Sequence, residues 1–154
     1  MKRKIATNEL LALYNIIGAA KNTKLDDGDK IKMWKICRKM KPIADKFDED
    51  MKSATEAMKP EGFDDELKKA QEYERLTKAK EPTIDVMTKA QYDEFIGKLK
   101  KYNELVQKAV EENGKKEVTL EYEPLSEDAF GKLLSSNDWN NAQVIAIGDF
   151  VCGE

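Results

Sequence analysis

The chain lacks histidine altogether, which removes the side chain that changes charge most readily near neutral pH. A nucleophilic triad would therefore lack its usual base, and a metal site would have to be built from carboxylates alone. No glycine-rich phosphate loop, GxSxG elbow or HExxH motif occurs either. These absences predict a protein that is not an enzyme, with no catalytic residues, no metal and no cofactor.

Long apolar runs are also missing. No stretch approaches the roughly 20 consecutive apolar residues of a membrane-spanning helix, so we expect no membrane partner.

The two cysteines, Cys37 and Cys152, belong to no CxxC pair, which leaves a zinc or redox motif unsupported. Residues 1–20 imitate a signal peptide, but their apolar spacing favours a helix of the fold. A reducing, cytoplasmic setting is the default expectation.

What the chain does have is a long series of regularly spaced apolar residues. Residues alternately four and three apart form the first seam: Met33, Cys37, Met40, Ala44, Phe47, Met51, Ala54 and Met58. This spacing predicts a helix that buries a narrow stripe against another helix. We expect Asp29 to cap the helix and Pro42 to bend it on its solvent side. Trp34 adjoins the seam and is expected in the core.

A second seam follows a capping-box pattern made by Thr88 and Gln91. It consists of Tyr92, Phe95, Leu99, Tyr102, Val106 and Ala109. This helix is the natural antiparallel partner of the first seam. The segment 59–87 between them is an irregular excursion, with an exposed helix expected over 64–80. A shorter N-terminal helix is predicted from Thr7 or Asn8 to about Lys21.

The pattern changes after Gly114. Alternation of Val118, Leu120 and Tyr122 predicts a strand, and Ser126 is placed to cap a short helix. The apolar run 144–151 predicts a second strand paired with the first. The fold class is therefore α+β, mainly α: a long antiparallel helix pair, an N-terminal helix and a small C-terminal strand-helix-strand unit. We expect a single domain over 1–154, with a helical portion 1–116 and a β-α-β portion 117–154.

The net charge of −3 conceals a strong polarity along the chain. Residues 1–41 carry eleven Lys or Arg against four Asp or Glu, whereas residues 117–154 carry one Lys against eight acids. Either the two ends of one fold face each other, or copies assemble with opposite charges in contact. The basic end also offers a surface for phosphates.

The candidate phosphate or nucleic-acid contacts lie on the predicted first-seam helix: Lys32, Lys35, Arg38 and Lys39. Cations of this kind supply nucleic-acid affinity, and Trp34 could stack on a base. Solubility of an amphipathic helix explains the same lysines, and an overall pI near 5.3 is opposite to the usual basic footprint. The acidic stretch 26–29 begins like a calcium loop but lacks the later ligands, so a turn followed by a helix cap is favoured.

In outline the chain resembles small phage and prophage-encoded helical proteins of uncharacterised function. The likeness is carried by the opening KIATNELLALYNIIGAA, the long charged helical middle, and the ending EVTLEYEPLSEDAFGKLLSSNDWNNAQVIAIGDFV. It implies an adaptor, an assembly chaperone or a minor structural component, because such proteins are often encoded among virion-assembly genes. It brings no catalytic residues.

Two functions are therefore expected in order. The first is a non-enzymatic protein-protein interaction or assembly protein that binds a protein partner or associates with itself. The alternative is a nucleic-acid-binding module that uses the basic N-terminal 41 residues.

Overall fold

The computed structural model describes residues 1–153 as a mainly helical protein with one small sheet. The elements in chain order are β1 (Lys2–Ala6), α1 (Thr7–Gly18), α2 (Asp27–Met58), α3 (Phe63–Lys78), α4 (Lys89–Gly114), β2 (Glu117–Glu121), α5 (Glu127–Leu134) and α6 (Asn141–Cys152). The predicted fold class, α+β and mainly α, is confirmed.

Contacts divide the chain into two compact units. The first unit contains residues 1–49 and 112–153, and the second unit contains Asp50–Glu111. Helices α2 and α4 each contribute residues to both units. Residues 117–153 thus pack with the N-terminal part of the chain, and the single domain over 1–154 stays a prediction.

The first unit encloses the larger of two apolar cores, to which both strands and four helices contribute. Its fully buried side chains are Leu10, Met33, Ile36, Met40, Leu133, Ile147, Phe150 and Val151. Residues three, four or seven apart on α2 and α6 share one helix face, which explains how each helix presents several of them together. Burial of such a set is the main stabilising contribution to this unit.

The sheet pairs the two ends of the chain. Strand β1 runs antiparallel to β2, with Ile5 opposite Val118 and Lys2 opposite Glu121. The predicted partner of β2, a strand over 144–151, is wrong, because those residues belong to α6. The C-terminal strand-helix-strand unit is therefore a strand followed by two helices.

Helix α6 forms because its start is capped and its apolar residues suit a helix. The Asn140 side chain accepts a bond from the Gln143 N–H at 2.9 Å, and the Gln143 side chain accepts one from the Asn140 N–H at 3.0 Å. Ile147, Phe150 and Val151 are buried on one helix face, whereas Ile145 is 63% exposed. A strand would have placed alternate residues on opposite faces.

The second unit has its own core, built by α3 and α4 with the end of α2. Phe63 contacts the rings of Phe95 and Tyr102, with centroids 5.6 and 4.8 Å apart, and Tyr73 stacks on Tyr92 at 4.5 Å. The later residue of α3 therefore contacts the earlier residue of α4, which shows that the two helices are antiparallel. The Tyr102 hydroxyl also donates to the Thr55 carbonyl on α2 at 3.3 Å.

These contacts change the interpretation of residues 59–87. The helix expected there is present as α3, and most of its residues are exposed as expected. One face is covered, however: Ala70 is buried, and Leu67 and Tyr73 pack against the core of this unit. After the turn at 59–62, α3 thus runs antiparallel to α4 within the second unit.

Both predicted seams are confirmed. Every residue of the first and second seams is buried or half-buried. Helix α2 passes through Pro42 without interruption, and Pro42 is exposed as expected. The bend at this proline stays a prediction.

Two predicted helix starts are corrected. Ala6 is the N-cap of α1, and Thr7 lies inside that helix, with its hydroxyl donating to the Lys116 carbonyl at 2.7 Å. At α2 the cap is Asp26, not Asp29: the Asp26 carboxylate accepts a bond from the Asp29 N–H at 2.9 Å. The capping box of Thr88 with Gln91 is confirmed by two hydrogen bonds of 2.9 and 3.2 Å, and the Ser126 cap is confirmed by the 3.1 Å bond from the Ala129 N–H to its hydroxyl oxygen.

Candidate functional site

The four predicted phosphate contacts lie on α2 in the first unit, but they do not form one free cationic surface. Lys32 is half-buried and forms salt bridges to Asp29 at 3.7 Å and to Glu123 at 3.3 Å. Lys39 donates to the Glu121 carbonyl oxygen. Two of the four positive charges are therefore already held by the chain itself.

The other two cations, Lys35 and Arg38, are exposed. The Arg38 guanidinium lies over the Trp34 ring, 5.1 Å from its centroid. Trp34 is 55% exposed, so the expectation that it belongs to the core is wrong. The reason is helical geometry: Met33 points into the core, and the next residue is rotated by about 100° away from it.

Lys35 and Lys39 also line a shallow depression shared with the two strand ends. Its other walls are Met1, Glu121, Tyr122, Glu123 and Pro124. The N-terminal ammonium donates to the Tyr122 carbonyl at 2.9 Å, which closes the bottom of the β1–β2 ladder. Because both lysines and glutamates line this depression, it has no uniform positive potential to select a phosphate.

The basic and acidic ends of the chain meet within one molecule. The Lys2–Ala6 strand pairs with the Glu117–Glu121 strand, and Lys32 reaches Glu123. Arg3 donates to the Asp149 carbonyl and lies over the Phe150 ring, 5.8 Å from its centroid. Of the two explanations for the charge polarity, pairing of the two ends inside one fold is therefore present in the structure.

One face of α2 remains uncovered, and we call it the outer face. It consists of seven exposed residues of the first unit: Ile31, Trp34, Lys35, Arg38, Pro42, Asp45 and Glu49. At about 100° per residue, these positions lie on the side of the helix opposite the first seam. The face itself is basic before Pro42 and acidic after it, and the exposed Lys46 borders its acidic half. A salt bridge between Lys41 and Asp45, at 2.7 Å, lies beside its middle.

The titration behaviour of the described groups offers little to catalysis. Burial raises the pKa of the thiols of Cys37 and Cys152, which keeps both in the weakly nucleophilic protonated form. The hydrogen bond from Arg75 lowers the pKa of Glu72, and the bond to Glu74 raises the pKa of Tyr92 to about 12. The lowered pKa of Glu72 and the raised pKa of Tyr92 both lie further from neutral pH than the ordinary values, so neither shift suits its group to proton exchange near pH 7.

Metal binding and membrane insertion are two further possibilities for residues 1–153. No group of three or more Cys, Asp or Glu side chains in this range is arranged to hold a metal ion. None of the helices in the same range combines the length and apolar character that crossing a bilayer requires.

Comparison with family models, curated proteins and solved structures finds no match to this chain. Interpretation of the outer face therefore depends on its own chemistry. Sequence reasoning singled out Lys35 and Arg38 but missed Ile31 and missed that Trp34 is exposed. A signal was present, since Ile31, Trp34, Lys35 and Arg38 follow the i, i+3, i+4, i+7 spacing of one helix face.

Proposed function

We propose that this chain is a non-enzymatic interaction protein that binds a protein through the outer face of α2. The observation that carries the proposal is the exposed Trp34 ring with Arg38 lying over it, 5.1 Å from its centroid. Trp and Arg are the residue types that dominate binding energy in protein interfaces. Ile31, 51% exposed one turn away, adds apolar area to the same patch.

The rest of the molecule favours a binding role over a catalytic one. Burial raises the pKa of its two thiols, which keeps both in the weakly nucleophilic protonated form. The outline resemblance to phage and prophage proteins suggests that the partner belongs to an assembly process. We propose the cytoplasm as its setting, on the ground that both cysteines are free.

The proposal is tested by photo-crosslinking in cells that express the full chain. Benzoylphenylalanine in place of Lys35 is expected to form a protein adduct, identified by mass spectrometry, that is lost when Trp34→Ala is added. The same photoprobe in place of Lys100, an exposed residue of α4, is the control and should not form that adduct. Absence of any protein adduct at position 35 would overturn the proposal.

A second function is favoured by the same exposed pair. A stacked Trp34 and the cations Lys35 and Arg38 are suited to a single nucleic-acid strand, whose phosphates and bases they could contact. Short DNA or RNA should then shift the protein in a gel at low salt and release it as salt rises. Changing Lys35, Arg38 and Lys39 to Glu should abolish the shift. No binding at low salt would remove this alternative.

A further inference from the structure

We infer that the partner of the outer face is a second copy of this chain, bound by antiparallel pairing of two α2 helices about a twofold axis near Pro42. The inference rests on the proposed function and specifies its partner. Its basis is the order of charges along the face: Lys35 and Arg38 on one side of Pro42, Asp45 and Glu49 on the other.

This order is self-complementary. When an identical helix is laid antiparallel across the face, the basic half of each copy lies opposite the acidic half of the other. With the axis at Pro42, Lys35 comes opposite Glu49 of the second copy, and Arg38 comes within one residue of the position opposite its Asp45. A twofold interface requires this property, because one surface patch must complement itself.

The same charges cannot satisfy each other within one helix. Arg38 and Asp45 are seven residues apart, about 10 Å along the axis, and Lys35 and Glu49 are fourteen apart, about 21 Å. Both separations exceed the reach of a salt bridge between two side chains. Asp45 has a partner on its own helix, Lys41 at 2.7 Å, but Lys35, Arg38 and Glu49 form no described salt bridge within residues 1–153.

The apolar residues of the face suit the same arrangement. Trp34 and Ile31 lie beyond the charged positions, at the outer end of the basic half, where they would cover the helix of the second copy. At the centre, Pro42 is exposed and presents an apolar ring without a charge, which both copies can approach closely. The axis and the four charged positions thus fall within residues 35–49 of the first unit.

A charge-swap experiment tests the inference by analytical ultracentrifugation. The wild-type chain, 17.6 kDa as a monomer, should sediment at about twice that mass at concentrations near 100 µM and low salt, well above an approximately micromolar Kd. The variants Lys35→Glu/Arg38→Glu and Asp45→Lys/Glu49→Lys should each be monomeric, because each places like charges opposite each other. High salt should weaken the wild-type dimer.

Restoration is the decisive result. Mixing the two monomeric variants should give a heterodimer. One variant then has acidic residues at all four positions and the other has basic residues there, so every facing pair is attractive. The chain that carries all four changes keeps the wild-type net charge and should again form a homodimer. The control Lys100→Glu/Lys101→Glu, which alters net charge as much as the first variant but on exposed positions of α4, should remain dimeric.

The outcomes separate this inference from the proposed function. A wild-type chain that stays monomeric at every concentration, or a mixture of the two variants that forms no heterodimer, overturns the pairing of two copies. If the adduct at position 35 then contains a different protein, the outer face is still a protein-binding surface. If no protein adduct forms at all, both are overturned. Circular dichroism on every variant confirms that loss of the dimer is not loss of the fold.

Discussion

Thr7 donates twice to the carbonyl oxygen of Lys116, from its hydroxyl at 2.7 Å and from its backbone N–H at 2.9 Å. The two residues are 109 positions apart in the chain and join the start of α1 to the residue before β2. Thr7 is also a buried polar residue of the first unit, 6% exposed. The contact therefore extends the β1–β2 pairing past its Ala6–Glu117 end.

Replacing Thr7 with Val should measure this contact. Valine keeps the shape and removes the hydroxyl, so the Lys116 carbonyl keeps only the backbone donor. We expect the free energy of unfolding to fall by about 0.5–1.5 kcal/mol, the typical net value of one hydrogen bond. Urea titration followed by circular dichroism gives the value. Thr119→Val, at an exposed position of β2, is the control and should change stability by less than about 0.5 kcal/mol.

The core of the second unit should depend on Phe63. Its ring contacts both Phe95 and Tyr102, and only 5% of the residue is exposed. Phe63→Ala leaves a cavity among these rings and should cost about 3–5 kcal/mol. Hydrogen exchange should speed up in α3 and the facing part of α4. Ile84→Ala, at an 81% exposed position, should leave exchange unchanged; equal effects of both changes would contradict the assignment of Phe63 to a core.

The phenol of Tyr92 should lose its proton at a higher pH than an ordinary tyrosine. Its hydroxyl donates to the Glu74 carboxylate at 2.5 Å, and this bond raises the pKa of Tyr92 to about 12. The fold thus favours the protonated phenol, so any stability from the bond is complete below the ordinary pKa of about 10 and is lost as pH rises through 12. Phenolate absorbance of wild type and Glu74→Gln measures the effect. Identical titrations of the two proteins would show that the bond does not hold in solution.

Two glycines in helices should respond oppositely to alanine. A Cβ at Gly148 in α6 would lie 2.8 Å from the Phe130 ring of α5, whereas one at Gly97 in α4 would meet nothing within 4 Å. Gly97→Ala should therefore raise stability by about 0.5–1 kcal/mol through helix propensity. Gly148→Ala should lower it by about 1 kcal/mol, because the ring must shift. Thermal unfolding of both variants tests the sign, and stabilisation by both would contradict close packing of α5 on α6.

Local periodicity predicted the helices well. The two seams, the exposed position of Pro42, the capping box at Thr88 and the helix cap at Ser126 depend on residues within a few turns of one another, and all are present as expected. Such features follow from the helical repeat and from the unpaired backbone N–H groups at helix starts. Both depend only on residues that are close together in the sequence.

The candidate site was only partly predictable. Lys32 and Lys39 look as free in the sequence as Lys35 and Arg38, yet Glu123 and the Glu121 carbonyl engage them from a segment more than eighty residues away. Trp34 was expected in the core because it adjoins Met33, and the exact rotation of α2 on its neighbours leaves it outside. Neither outcome could be predicted from the local spacing of residues, because both depend on contacts with distant parts of the chain.

By itself, the sequence determined a mainly helical α+β chain with two matching apolar seams, no histidine chemistry and charges of opposite sign at its ends. Tertiary structure alone decided which strand completes the sheet. The segment Lys2–Ala6 has too few apolar residues to signal a strand, and it becomes one because β2 supplies its hydrogen bonds. Residues 144–151 are apolar enough for either element, and the Asn140 capping box together with burial of Ile147, Phe150 and Val151 made them a helix.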